Sequence, residues 1–219
     1  MLQFPKPPHS LHLPRLYAIV DVEACARAQR APLDVSRAFL SGGVRCLQLR
    51  AKSWGSGPLL ELAAVVVSDA SQAGALVIIN DRADVAVMAG AHGVHVGQDD
   101  LPPVDARTVV GADRIVGLST HTDAQLEQGV ALPISYLAVG PVFDTETKAT
   151  GYDSIGLETV RRAAAIVSAA AHPLVAIGGI TLQRAPGVIA AGASSVAVIN
   201  DLLVGDPEAR AREFLRALQ

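Results

Sequence analysis

The chain has 219 residues, a formal net charge of −3, 50% hydrophobic residues and only 4% aromatic ones. That length suits one large domain whose core is built from Val, Ile, Leu and Ala, as in a parallel sheet buried on both faces. The mild acidity removes any general electrostatic reason to bind nucleic acid or an anionic membrane, so anion binding must come from a local cluster.

Residues 1–14 contain Pro5, Pro7, Pro8 and Pro14 and no apolar run. They read as an irregular arm and not as a secretory signal or membrane span, which leaves a domain at 15–219. From there short apolar runs alternate with longer amphipathic stretches. Strands are predicted at 16–20, 44–49, 76–79, 93–96, 115–118, 136–139, 174–177 and 195–199. Helices are predicted near 33–41, 57–73, 83–89, 103–110, 123–129, 157–170, 186–191 and 206–218. Strands that each precede a helix imply a parallel sheet. About 25 residues per unit is enough to close a single-domain (β/α)8 TIM barrel, with an open doubly wound sheet as the alternative. Gly42-Gly43, Gly74, Gly90, Gly111 and Gly192 stand where helices hand over to strands.

Cys25 and Cys46 are the only cysteines and have no zinc-ligand spacing. Two isolated thiols fit a reducing cytoplasm. The residues leave a homo-oligomer open.

The chemistry gathers at strand ends. Gln48 and Arg50 alternate with Leu47 and Leu49, so they are expected to point into the barrel, and Lys52 extends that line to the rim. A guanidinium there needs a partner. Two readings are open: an internal salt bridge to a neighbouring strand, or a phosphate clamp in which Arg50 supplies a fork and Lys52 a mobile charge.

Asn80 and Asp81 end the third strand, and Gly97-Gln98-Asp99-Asp100 follows the fourth. Each string alone reads equally as a turn. Together they bring Asp81 and one of Asp99 or Asp100 to one patch of rim. Carboxylates beside a phosphate repel it unless a hard cation intervenes, and Mg²⁺ held by Asp81 and Asp100 with a diphosphate fits that pattern.

Ser119 after the fifth strand is either a helix N-cap or a ligand. His95 reads as a satisfied core histidine, and His121 has no nucleophile to serve. The longest break, 140–156, carries Thr145, Thr147 and Lys148, which suit phosphate oxygens. Gly178 and Gly179 after the seventh strand let backbone approach an anion, and Ile199 and Asn200 end the eighth. In barrels of this kind the loops after strands seven and eight often hold phosphate. Two anion sites are therefore expected, one metal-assisted and one built from backbone.

The ordered strings Gln48-Leu49-Arg50-Ala51-Lys52, Asn80-Asp81-Arg82, Gly93 to Asp100, Gly117-Leu118-Ser119, Gly140-Pro141-Val142-Phe143, Thr145 to Lys148 and Ile177-Gly178-Gly179-Ile180 resemble those of thiamine phosphate synthases. The resemblance spans nearly all of 16–219. It implies a (β/α)8 transferase that joins a hydroxymethylpyrimidine diphosphate to a thiazole phosphate and releases pyrophosphate. By that resemblance Gln48, Arg50, Lys52, Asn80, Ser119 and Lys148 bind the pyrimidine diphosphate. Asp81 and Asp100 hold Mg²⁺, and Thr145, Thr147, Gly179, Ile199 and Asn200 hold the thiazole phosphate. Arg50, Lys52 and Lys148 would stabilise the leaving pyrophosphate in a dissociative reaction. Asn200 stands where that family usually has serine, and Asp144 where it commonly has proline. Competing readings are a thiazole tautomerase of the same barrel, a sugar-phosphate epimerase, and a non-catalytic thiazole or thiamine phosphate-binding protein. Pro141 stands where the tautomerases resemble one another in having histidine.

Overall fold

Eight short runs rich in β-branched and leucine side chains pair in parallel, and the pairing closes on itself. The computed structural model describes residues 11–144 and 153–219. The strands are β1 (Leu16–Asp21), β2 (Cys46–Arg50), β3 (Leu76–Asn80), β4 (Gly93–Val96), β5 (Ile115–Thr120), β6 (Tyr136–Val139), β7 (Leu174–Ile177) and β8 (Ser195–Val198). They form a closed barrel in chain order, sealed where Leu16, Tyr17 and Ala18 pair with Val196, Ala197 and Val198. The open-sheet alternative is thereby excluded.

The helices are α1 (Val22–Arg27), α2 (Pro32–Ser41), α3 (Ser56–Gln72), α4 (Ala83–Met88), α5 (Pro103–Val110), α6 (Asp123–Gly129), α7 (Gly156–Ala169), α8 (Ala185–Ala190) and α9 (Pro207–Ala217). Helix α1 was not among the predicted elements. It is a single short stretch, and the Asp21 side chain caps it by accepting from Ala24 N–H at 2.7 Å. A 3₁₀ turn over Asn200–Leu203 is the other unpredicted element.

Strand alternation sorts the core into two shells. Leu47, Leu49, Val77, Ile79, Val94 and Val96 face the helices. Tyr17, Ile19, Cys46, Ile78, Tyr136, Ala138, Val175, Ala197 and Ile199 fill the barrel. Of the predicted arm, residues 1–10 lie outside the described residues. Residues 11–14 have no regular structure, yet Leu13 is buried in the inner shell and Leu11 packs against it. Both precede β1, so they close the barrel at the end opposite the candidate site. Among the described residues, no helix is long and apolar enough to cross a membrane.

Candidate active site

Parallel strands present all their C-terminal ends at one rim, so the last inward residue of each strand meets its counterparts there. Asp21 and Arg50 are register partners at the ends of β1 and β2. Arg50 Nη1 donates to Asp21 Oδ2, and the two side chains are 12% and 1% exposed. The internal salt bridge posed from the sequence is therefore present, and Asp21 is its carboxylate. Glu23 stands 3.8 Å from the same guanidinium nitrogen. Burial pushes Glu23 up, but the Ser53 hydroxyl and N–H, which it accepts at 2.6 and 3.0 Å, hold its carboxyl below the usual range. The salt bridge does not exhaust Arg50. Its Nε is buried with no hydrogen-bond partner, as is Glu23 Oε2. A buried donor left over beside a cleft is what an anionic ligand satisfies.

One strand further round, Lys52 Nζ lies 3.1 Å from Asp81 Oδ2. Asp81 has a φ of +62°, and its N–H bonds His95 O at 2.8 Å, which folds the chain over the end of β4. Its side chain meets that of Asp100. Asp100, not Asp99, is the partner because its Oδ2 turns back to accept Gly97 N–H at 2.8 Å. Burial, then the adjacent Asp100 carboxylate, raises Asp81 above the ordinary carboxylate range. Asp100 is held low despite its own burial, by the hydrogen bond from Asp81, the Gly97 N–H and Lys52. Among the described residues no group of three or more His, Cys, Asp or Glu side chains is arranged around a metal position. Two carboxylates are nevertheless the complement Mg²⁺ uses when phosphate and water supply its other ligands.

Gln48 and Asn80 are buried in the wall beneath these charges. Ser119 is not a helix cap. β5 runs two residues further than predicted, so Ser119 faces inward, and Thr122 caps α6 instead. The Ser119 hydroxyl lies 2.8 Å from His95 Nε2.

Ser119 also lines a cavity of about 300 Å³ between the ends of β5 to β8. Gly178, Gly179, Ile199 and Asn200 line it too, so the described part of the expected second anion site is assembled at one place. Gly178 and Gly179 have φ of +103° and +61°, conformations open to glycine. Thr145, Thr147 and Lys148 lie outside the described residues.

Arg184 and Asp144, which sequence reasoning did not place in a site, line the same cavity. The Arg184 guanidinium sits 4.5 Å from the Phe143 ring centroid and donates to Gly179 O at 2.8 Å. No strand periodicity marks a loop arginine of this kind.

This arrangement can hold two phosphorylated ligands side by side, one over the charged rim of β1 to β4 and one in the cavity. Comparisons with known proteins point to one family. A family model described as thiamine monophosphate synthase matches residues 16–202. The chain is 46% identical to a thiamine-phosphate synthase of Koribacter versatilis (strain Ellin345), over 95% of this chain and 97% of that one. It is 39% identical to a thiamine-phosphate synthase of Chlorobium luteolum, over 94% of each. Among solved structures, thiamine phosphate pyrophosphorylase from Pyrococcus furiosus superposes with a TM-score of 0.83 at 28% identity, covering 93% of this chain and 95% of that one. With a family model matching most of the chain and relatives this similar over nearly its whole length, the chain belongs to the thiamine monophosphate synthase family.

Proposed function

We propose that this protein is a thiamine phosphate synthase, which joins an aminopyrimidine methyl diphosphate to a thiazole phosphate and releases pyrophosphate. The observation that carries the reading is the convergence of Arg50, Lys52, Asp81 and Asp100 on one rim, with Ser119 shared between that rim and the cavity. An enzyme of this kind must hold a diphosphate next to a second phosphorylated ring.

In this reading Arg50 and Lys52 bind diphosphate oxygens, with Lys148 as the third cation. Gln48, Asn80 and Ser119 hold the pyrimidine. The thiazole phosphate occupies the cavity, with its phosphate toward Gly178, Gly179, Thr145, Thr147 and Asn200. The carbon–oxygen bond to the diphosphate breaks, and its electron pair leaves with pyrophosphate. The electron-rich aminopyrimidine shares the positive charge left on its methylene carbon. The thiazole nitrogen then supplies the pair for the new carbon–nitrogen bond. The fixed cations act where negative charge grows, which is electrostatic catalysis and needs no protein nucleophile. Asp81 and Asp100 would hold Mg²⁺, which when bound adds positive charge at the leaving group. The enzyme works in the cytoplasm, where the buried thiols of Cys25 and Cys46 stay reduced.

Pyrophosphate release should require both substrates and should stop on chelation of divalent cations. Release that proceeds without the thiazole phosphate, or none with both present, would sink the reading. For the metal, calorimetry of Mg²⁺ with inorganic pyrophosphate present should show binding to the wild type and none to Asp81→Ala/Asp100→Ala. Equal affinities in the two proteins would remove these carboxylates as its ligands.

A further inference from the structure

A file of hydrogen bonds crosses the barrel interior beneath the site. Gln48 Nε2 donates to Tyr17 Oη at 3.0 Å. Tyr17 Oη lies 3.0 Å from Tyr136 Oη, which lies 2.9 Å from His95 Nδ1. His95 Nε2 then lies 2.8 Å from Ser119 Oγ. Both phenols are fully enclosed, their rings edge-on at 6.1 Å, and Tyr136 stacks on the His95 ring at 5.5 Å.

The links are not independent, because each phenol carries one proton. Burial raises both phenols well above the usual range, so each keeps that proton. Tyr17 accepts from Gln48 and therefore gives its proton to Tyr136. Tyr136, having accepted, gives its own to His95 Nδ1. A neutral imidazole that accepts at Nδ1 carries its hydrogen on Nε2, and that hydrogen goes to Ser119 Oγ. The Ser119 proton is then directed to a ligand, and the Gln48 carbonyl oxygen is the acceptor at the other end. Reversing any single link leaves a buried donor or acceptor unmatched.

We propose that Tyr17, Tyr136 and His95 are positioning residues that run this file in one direction, so that Gln48 meets the ligand as an acceptor and Ser119 as a donor. An aminopyrimidine matches both ends, since its amino group donates and its ring nitrogens accept. A pyrimidinone, with a carbonyl and a ring N–H in place of amino group and ring nitrogen, mismatches them. The match to the ligand rests on the synthase reading above; the direction of the file does not.

The test is ¹⁵N NMR of histidine-labelled full-length protein without ligand, with the His95 signals assigned by their loss in His95→Gln. The wild type should show His95 with its hydrogen on Nε2 alone. A proton on Nδ1 would overturn the proposal. In Tyr136→Phe the Nδ1 bond is gone, so both tautomers should appear. KM for the aminopyrimidine diphosphate should rise about tenfold, with KM for the thiazole phosphate unchanged. An unchanged tautomer, or equal rises in both KM values, would reduce Tyr136 to a packing residue and defeat the proposal. If Tyr136→Phe does not fold, the wild-type spectrum still decides the direction. A protein that makes no thiamine phosphate would end the synthase reading and leave the tautomer result standing.

Discussion

Arg50→Ala is expected to lower turnover by about two to three orders of magnitude, the loss seen when one fixed donor to developing negative charge is removed. It should also destabilise the fold, because Asp21 then stays buried without its cation. Breaking a buried pair costs roughly 3–5 kcal/mol. Water entering the space left by the guanidinium will bring the loss toward the lower end, since Arg50 is 12% exposed. The two effects can be separated. In Arg50→Ala/Asp21→Asn the stranded charge is gone, and the new amide oxygen can still accept from Ala24 N–H as the Asp21 carboxylate does. Urea unfolding should recover most of the stability, while turnover stays low. If turnover returns with stability, Arg50 serves only as the partner of Asp21, and the phosphate clamp is refuted. Arg50→Lys should remain well below wild type, because a point charge cannot bond Asp21 and a phosphate with a planar fork.

That double role explains what the sequence could and could not reveal. Alternation from Leu47 placed Gln48 and Arg50 inside the barrel, as observed, because a buried parallel strand has no freedom to slip by one residue. The same rule applied to β1 puts Tyr17, Ile19 and Asp21 inside. Ending that strand at residue 20 hid the carboxylate that Arg50 needs. Ser119 shows the same boundary effect from the other direction. Two further residues of β5 turn an apparent cap into an inward hydroxyl. Strand ends alone bring either Asp99 or Asp100 to the rim, and naming Asp100 rested on the family resemblance; its physical reason is a turn in which Asp100 bonds Gly97 N–H. Tyr136 was legible as apolar bulk only. Its role depends on neighbours 119 and 41 positions away, Tyr17 and His95, which a local pattern does not bring together. Arg184 and Asp144 reach the cavity from loops, where side-chain direction follows no period.

Gly178→Ala is expected to damage the cavity through backbone strain and overpacking together. At φ +103° the backbone there is one that L side chains rarely adopt. The new methyl would also lie 2.5 Å from Pro141 Cα and Cβ and 3.1 Å from Val142 N. These contacts are backbone and ring, so no rotamer change relieves them. The segment must move, and it is held by Val142 N–H to Ile177 O at 2.8 Å and Phe143 N–H to Gly178 O at 3.1 Å. Backbone strain of roughly 1–2 kcal/mol adds to overpacking of about 1–3 kcal/mol. Displacing that segment also reshapes the cavity wall, so KM for the thiazole phosphate should rise about tenfold or more, with KM for the pyrimidine diphosphate little changed. Gly187→Ala provides the contrast. It lies inside α8, its nearest neighbour to a new methyl is Leu157 Cδ1 at 3.9 Å, and alanine there should raise stability by about 0.5–1 kcal/mol. Thermal and urea melts of the two variants, with both KM values, check the argument. If Gly178→Ala melts with the wild type and keeps its thiazole KM, the close approach of Pro141 to the end of β7 does not shape this site.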